Sequence, residues 1–323
     1  MIFNKPFMWI MLTGSSMISV SSSSWFGIWI GLEINLIAFI PMMKSKSKES
    51  SNSMLTYFLP QSLGSMILLF TVLISSINMF PPNMMSDLIN IVMTISILIK
   101  LGLPPFHLWL PKMMNSMNWE SCMWLMTWQK VAPLTAMFQL TEKSSITSMI
   151  AIMSTIMGSL GGINQTSMRT MMGYSSITHT GWMLMMSKLS YNWMLYLLIY
   201  STITLLIMNQ FKKMNIMFMN QILSLKKSDS IIILSSILSM GGLPPFIGFI
   251  PKWMVIQNSI NSNEMMTITM MSIMSLMTLF FYLKMISPII LMSNSSLKTM
   301  NYKLSMWPML LSSMTLPALI VLM

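Results

Sequence analysis

Four ionisable residues stand well away from any polar connector in this chain: Glu33, Lys100, Lys130 and Lys252. Their surroundings are apolar, as in Trp29-Ile30-Gly31-Leu32-Glu33-Ile34-Asn35 and Ile97-Leu98-Ile99-Lys100-Leu101. At the centre of a bilayer a charge costs at least ~2.5–3.5 kcal/mol on insertion scales, so such residues face a polar interior and serve a purpose there. Apolar surroundings disfavour an ammonium, and a neighbouring carboxylate favours it. A lysine held between those two influences can load and release a proton. The chemistry implied is proton movement, with no bond made or broken in a substrate.

The lysines lie beside residues that break helices. Gly102-Leu103-Pro104-Pro105-Phe106 recurs as Gly242-Leu243-Pro244-Pro245-Phe246. The copies lead to Pro111-Lys112 and Pro251-Lys252, every match standing 140 positions after its counterpart (242 − 102). Proline lacks the N–H that would bond the carbonyl four residues earlier. Pro104 and Pro105 therefore free the carbonyls of Lys100 and Leu101, and Pro133 frees that of Gln129, next to Lys130. Pro244, Pro245 and Pro251 free those of Met240, Gly241 and Ile247. A freed carbonyl in lipid must be satisfied by protein or water, which predicts ordered water beside these lysines. Lys112, the twin of Lys252, is followed by Asn115-Ser116 and reads as interfacial. Lys100 has no twin, because position 240 is Met. His107 and His179 are each isolated in sequence, which makes a metal site improbable; each reads as a satisfied polar histidine or as a link in a water chain. Tyr174 and Trp182 read as packing or interface anchors.

The elements that must position these groups are membrane helices. The chain has 323 residues, 54% of them apolar and only 8% charged. Apolar runs of about 20 residues recur between short polar connectors, which is the pattern of an all-α polytopic membrane protein. Eleven spans are predicted, at 3–20, 25–43, 54–78, 84–114 (broken), 119–140, 146–165, 169–187, 191–210, 229–258 (broken), 264–287 and 304–323. The connector from Phe211 to Ser230 is a lateral loop or short surface helix, and no soluble domain remains. With alternate loops assigned to alternate faces, Lys5, Lys44, Lys112, Arg169, Lys212 and Lys284 fall with most other basic residues on the side of the N-terminus. Lys143 and Lys188 fall on the other. That asymmetry puts the N-terminus in the matrix or cytoplasm and makes the +11 net charge a topology signal, not a nucleic-acid site. Five spans separate the two double prolines, so the copies run in opposite directions. This predicts two inverted five-helix repeats with discontinuous helices, at 1–140 and 141–287, followed by a loop and terminal helix at 288–323.

One cysteine, Cys122, and two histidines exclude iron–sulfur, zinc and paired-haem sites held by this chain alone. No glycine-rich nucleotide loop is present. The 47 methionines beside one arginine, Arg169, have no packing rationale and fit an AT-rich animal mitochondrial genome that reads AUA as Met. The start, Met1-Ile2-Phe3-Asn4-Lys5-Pro6, agrees, since it carries no transit peptide.

Ile99-Lys100-Leu101-Gly102-Leu103-Pro104-Pro105-Phe106-His107-Leu108-Trp109-Leu110-Pro111 resembles a hallmark of the antiporter-like membrane subunits of respiratory complex I. Thr127-Trp128-Gln129-Lys130-Val131-Ala132-Pro133, the stretch from Gly173 to Trp182, the second double-proline phrase and the stretch around Glu33 complete a resemblance that covers the whole chain. It points to the mitochondrial inner membrane and an insect-type chain. The resemblance implies a proton-channel unit of two inverted five-helix repeats, shortened by three helices relative to bacterial members. It implies that Glu33 and Lys100 form a coupled pair, Lys130 is the central relay and Lys252 is the exit-side lysine. Protons would then enter from the matrix and leave toward the intermembrane space. It also implies flavin and iron–sulfur clusters in other subunits, no cofactor in this one, bound phospholipid, and neighbours that include antiporter-like chain 4 and small chain 4L. A stand-alone cation/proton antiporter shares these motifs, and so would an assembly scaffold whose lysines no longer conduct.

Overall fold

The computed structural model describes residues 5–44, 48–77, 82–140, 145–190, 192–224 and 227–293. Among them the regular structure is helical, apart from one isolated bridge between Ser167 and Phe218. Among the described residues five helices are long and apolar enough to cross a membrane: Trp25–Met43, Glu49–Ser76, Ile146–Ile163, Trp193–Met214 and Met265–Ser287. The predicted span 304–323, the boundary at 140/141 and several basic loop residues, Lys46, Lys143, Lys226, Lys298 and Lys303 among them, lie outside the described residues.

The chain divides into two compact units. The first, Met1–Ser144, contains α1 (Lys5–Ser21), α2 (Trp25–Met43), α3 (Lys48–Ile77), α4 (Pro82–Leu101), α5 (Trp109–Ser116), α6 (Trp119–Met126) and α7 (Val131–Leu140). The second, Ser145–Met323, contains α8 (Ser145–Ile163), α9 (Met168–Leu189), α10 (Trp193–Met214), α11 (Lys227–Gly241), α12 (Phe249–Asn261) and α13 (Met265–Ser293). A 3-10 turn at Met219–Ser224 fills the lateral connector after α10. α10 stops there because Asn215 adopts φ 53°, with its N–H on Lys212 O and that of Ile216 on Phe211 O, a left-handed cap that closes two terminal carbonyls.

Apolar length explains these helices, and their hydroxyls do not oppose it. Buried Ser175, Ser176 and Thr180 each donate back to a carbonyl one turn earlier, at 2.7 Å to Met172 O, 2.7 Å to Gly173 O and 3.0 Å to Ser176 O. Serine and threonine can therefore line a buried helix without leaving a polar group bare. α9 uses this freedom most, being buried from Met168 to Ser187 except at half-buried Arg169 and Tyr174.

The span expected as one helix over 119–140 is interrupted. α6 ends at Met126, Thr127 takes φ −110° and ψ −76°, and Trp128–Lys130 forms a 3-10 turn before α7 begins. Pro133 falls in the first turn of α7, where a missing N–H is tolerated.

Candidate functional site

Each double-proline phrase ends a helix, and the glycine does the ending. Gly102 adopts φ +68° and Gly242 φ +74°, conformations that side chains rarely take. At the first break Gly102 N–H bonds Ile99 O at 3.2 Å and Leu103 N–H bonds Leu98 O at 3.0 Å, which is the Schellman pattern. The prolines follow the left-handed residue and prevent the helix from resuming. Trp109 Nε1 also donates to Ile99 O, at 3.2 Å.

That leaves the carbonyl of Lys100, the one Pro104 was expected to free. Its donor is protein: Gln61 Nε2 of α3, at 2.9 Å. The Lys100 ammonium is itself buried and makes no hydrogen bond to protein. Glu33 is half-buried on α2. No hydrogen bond joins the Lys100 ammonium to it.

Lys100 and Lys130 line one small cavity in the first unit, together with Asn35, Gln61, Gln129 and the Tyr57 ring. Its space for water centres is ≈ 30 Å³. One water needs roughly 10–15 Å³ by that measure and two or more polar partners, so the cavity can hold about two waters. Lys130 is buried at the end of the 3-10 turn, and that interruption takes it out of a regular helical position. Its neighbour Gln129 donates from Nε2 to Asn35 Oδ1 of α2 at 3.0 Å, which ties the turn to the helix that carries Glu33. A short 3-10 stretch within an otherwise α-helical span is a common mark of a functional hinge. Neither Thr127 nor Gln129 signalled it in sequence, and the polar types of Gln61, Asn35 and Gln129 were the available clues to the cavity.

The second unit holds Lys252 and His179. Lys252 is buried in the first turn of α12, confirming that a helix resumes after the break, and its Nζ donates to Gly241 O at 2.8 Å. Gly241 is the last residue of α11, so the lysine after the break closes the helix before it. Pro251 does not leave Ile247 O bare as expected, because Ile250 N–H reaches it at 3.1 Å. Lys112, the twin, is exposed.

His107 is buried between α4 and α5, and His179 is buried in α9. His179 Nδ1 shares a hydrogen bond of 3.0 Å with Tyr196 Oη, and its ring is 4.9 Å from that of Tyr200. Tyr196, Tyr200 and Tyr282 are all buried. Sequence reasoning missed this phenol cluster, whose three tyrosines come from α10 and α13. Among the described residues no group of three His, Cys, Asp or Glu side chains could hold a metal.

The first unit thus holds a buried lysine pair on a water-sized cavity, in a bundle of apolar helices one of which ends at a left-handed glycine. The family model described as NADH:quinone oxidoreductase/Mrp antiporter, transmembrane, matches residues 22–278. NADH-ubiquinone oxidoreductase chain 2 of Anopheles gambiae is 39% identical over 308 residues, covering 92% of this chain and 87% of that protein. The Locusta migratoria protein of the same name is 37% identical over 285 residues, covering 86% and 83%. This chain belongs to the NADH-ubiquinone oxidoreductase chain 2 family. The fold is also that of a chain in respiratory complex I from Thermus thermophilus with bound aureothin, at TM-score 0.81 and 18% identity, covering 89% of this chain and 70% of that one. A chain of the Mrp complex from Dietzia sp. DQ12-45-1b matches at TM-score 0.78 and 16% identity, covering 87% and 59%.

Proposed function

We propose that this chain is a proton-translocating membrane subunit of mitochondrial NADH:ubiquinone oxidoreductase, and that Glu33, Lys100, Lys130 and Lys252 carry the proton. The observation that bears this reading is the shared cavity of Lys100 and Lys130, lined by Asn35, Gln61 and Gln129 and wide enough for water. Two lysines that line one small polar space can pass a proton between them by way of water. Neutral amides around them can donate or accept, which suits a site whose charge changes.

Glu33 lies off the cavity lining and would act on Lys100 at a distance. A change in its own protonation would alter the lysine's proton affinity without bond exchange, and this is the coupling role assigned to it. Lys252 is the exit-side lysine of the second unit, and His107 and His179 are secondary relay candidates. Electron transfer, flavin and iron–sulfur clusters belong to other subunits, chain 4 and chain 4L are the proposed neighbours, and phospholipid covers the apolar faces. The eleven-span inverted repeat and a matrix-facing N-terminus complete the reading.

On a native gel of solubilised mitochondrial membranes the chain should co-migrate with NADH dehydrogenase activity. A chain that migrates apart from that activity and exchanges cations for protons alone is the antiporter instead. In vesicles, Lys100→Met should reduce protons moved per NADH oxidised; an unchanged ratio removes Lys100 from the relay.

A further inference from the structure

At each helix break a side chain closes a carbonyl that proline leaves without its backbone donor, and the two side chains differ. At the second, the Lys252 ammonium is itself the donor, to Gly241 O at 2.8 Å. At the first, the Lys100 ammonium makes no hydrogen bond, and the carbonyl of the same residue is closed by Gln61 from a neighbouring helix. We infer that Gln61 is a positioning residue for Lys100, whose amide closes the broken helix so that the lysine's own ammonium stays available to the cavity it shares with Lys130. This rests on the reading of Lys100 as a proton carrier.

Three observations support the assignment. First, no backbone donor can replace the amide at the i+4 position, because residue 104 is proline. Second, α3 is shaped for close approach on this face. Gly64, one turn after Gln61, lies so near α4 that an added Cβ would stand 3.0 Å from both Lys100 Cγ and Ser96 O. Residues three apart share a helix face, so Gln61 and Gly64 address Lys100 together. Third, Gln61 is buried and lines the same cavity as Lys130, so its carbonyl oxygen can receive a donor there while its N–H₂ holds the helix end.

The role is positional. Without the amide, the Lys100 carbonyl must be closed by the nearest remaining donor, and the lysine's own ammonium or a cavity water is in reach of that task. Either substitute draws that group away from the cavity shared with Lys130 and slows transfer there, while a residue of purely structural value would affect only assembly.

The experiment uses inner-membrane vesicles with the intact complex, comparing Gln61→Leu, Gln61→Glu and Lys100→Met. For Gln61→Leu, NADH-driven proton transport should fall roughly tenfold, the kinetic equivalent of one buried hydrogen bond, with complex content on native gels maintained. Gln61→Glu has a donor for the carbonyl only while the acid is protonated. Its rate relative to the unsubstituted complex should therefore be highest at mildly acid pH and decline as pH rises. If Lys100→Met lowers transport but Gln61→Leu and Gln61→Glu match the unsubstituted complex at every pH, the inference on Gln61 fails and the relay stands. If Lys100→Met has no effect either, the relay reading fails first. Should Gln61→Leu not assemble, Gln61→Glu decides alone: a pH-dependent deficit supports positioning, and a pH-independent one overturns it.

Discussion

Replacing Lys252 with leucine removes the donor that closes the second helix break. Gly241 O is buried, and residue 245 is proline, so no backbone N–H stands at the i+4 position. The bond from Lys252 Nζ at 2.8 Å is charge-assisted, and hydrogen bonds to charged groups contribute roughly 1.5–3 kcal/mol net. Leucine fills much of the same space but leaves the carbonyl bare. Release of the ammonium's own burial cost offsets part of the loss, so the lower half of that range is the better guide. Each 1.4 kcal/mol is a factor of ten in an equilibrium. Opening of the segment after Gly242 should thus become about ten to forty times more frequent. The reporters are the amides of Phe246, Phe249 and Ile250, which bond Leu243, Phe246 and Ile247 carbonyls at 2.9–3.1 Å. Hydrogen exchange measured by mass spectrometry on the intact complex in lipid nanodiscs should show them exchanging faster by that factor, with the interior of α9 unchanged. Lys252→Arg keeps a donor and should stay within a few-fold of the original. Equal exchange in the leucine variant and the unsubstituted protein would refute the idea that this lysine holds the break closed.

Other expectations follow from single contacts. Gly102→Ala forces a side chain into φ +68°, at about 1–2 kcal/mol, and puts a methyl 3.0 Å from Leu110 Cδ1 and 3.1 Å from Trp109 Cζ2. Thermal inactivation of NADH-driven proton transport should move down by several degrees. Glu264→Gln removes the charge opposite Lys188, at 2.5 Å in a pair whose side chains are 10% and 29% exposed. Because Glu264 is partly solvated, a loss of only about 0.3–1 kcal/mol is expected. Most of that difference should vanish at high salt in a chemical denaturation comparison.

The helices were legible because a membrane span is a run of apolar residues, and the breaks were legible because Gly-Leu-Pro-Pro cannot continue one. Lys100, Lys130 and Lys252 stood out because charge in apolar sequence is costly, and the structure buries all three. What sequence could not show was the partner of each freed group. Pro104 announces a bare carbonyl at Lys100, but only the packing of α3 on α4 selects Gln61 to close it. The 3-10 turn at Trp128–Lys130 has no glycine and precedes its proline, so the local pattern read as one helix. Lys188 and Glu264 are 76 positions apart, and Tyr196 meets His179 across two helices. Such pairings depend on tertiary contact and leave no mark in local spacing. Glu33 and Lys100 read as a pair, but no hydrogen bond joins the Lys100 ammonium to Glu33.

The central claim is that buried lysines of this chain carry protons, and Lys130 is the place to test it. It is buried, lines the cavity with Lys100, and stands on a turn that interrupts its span. Methionine matches its length without the ability to bind a proton. Protons moved per electron transferred should be measured in sealed vesicles containing the assembled Lys130→Met complex, at matched complex content. A lower ratio, or electron transfer slowed together with pumping, is the predicted result. Full electron transfer with an unchanged proton-to-electron ratio would contradict it.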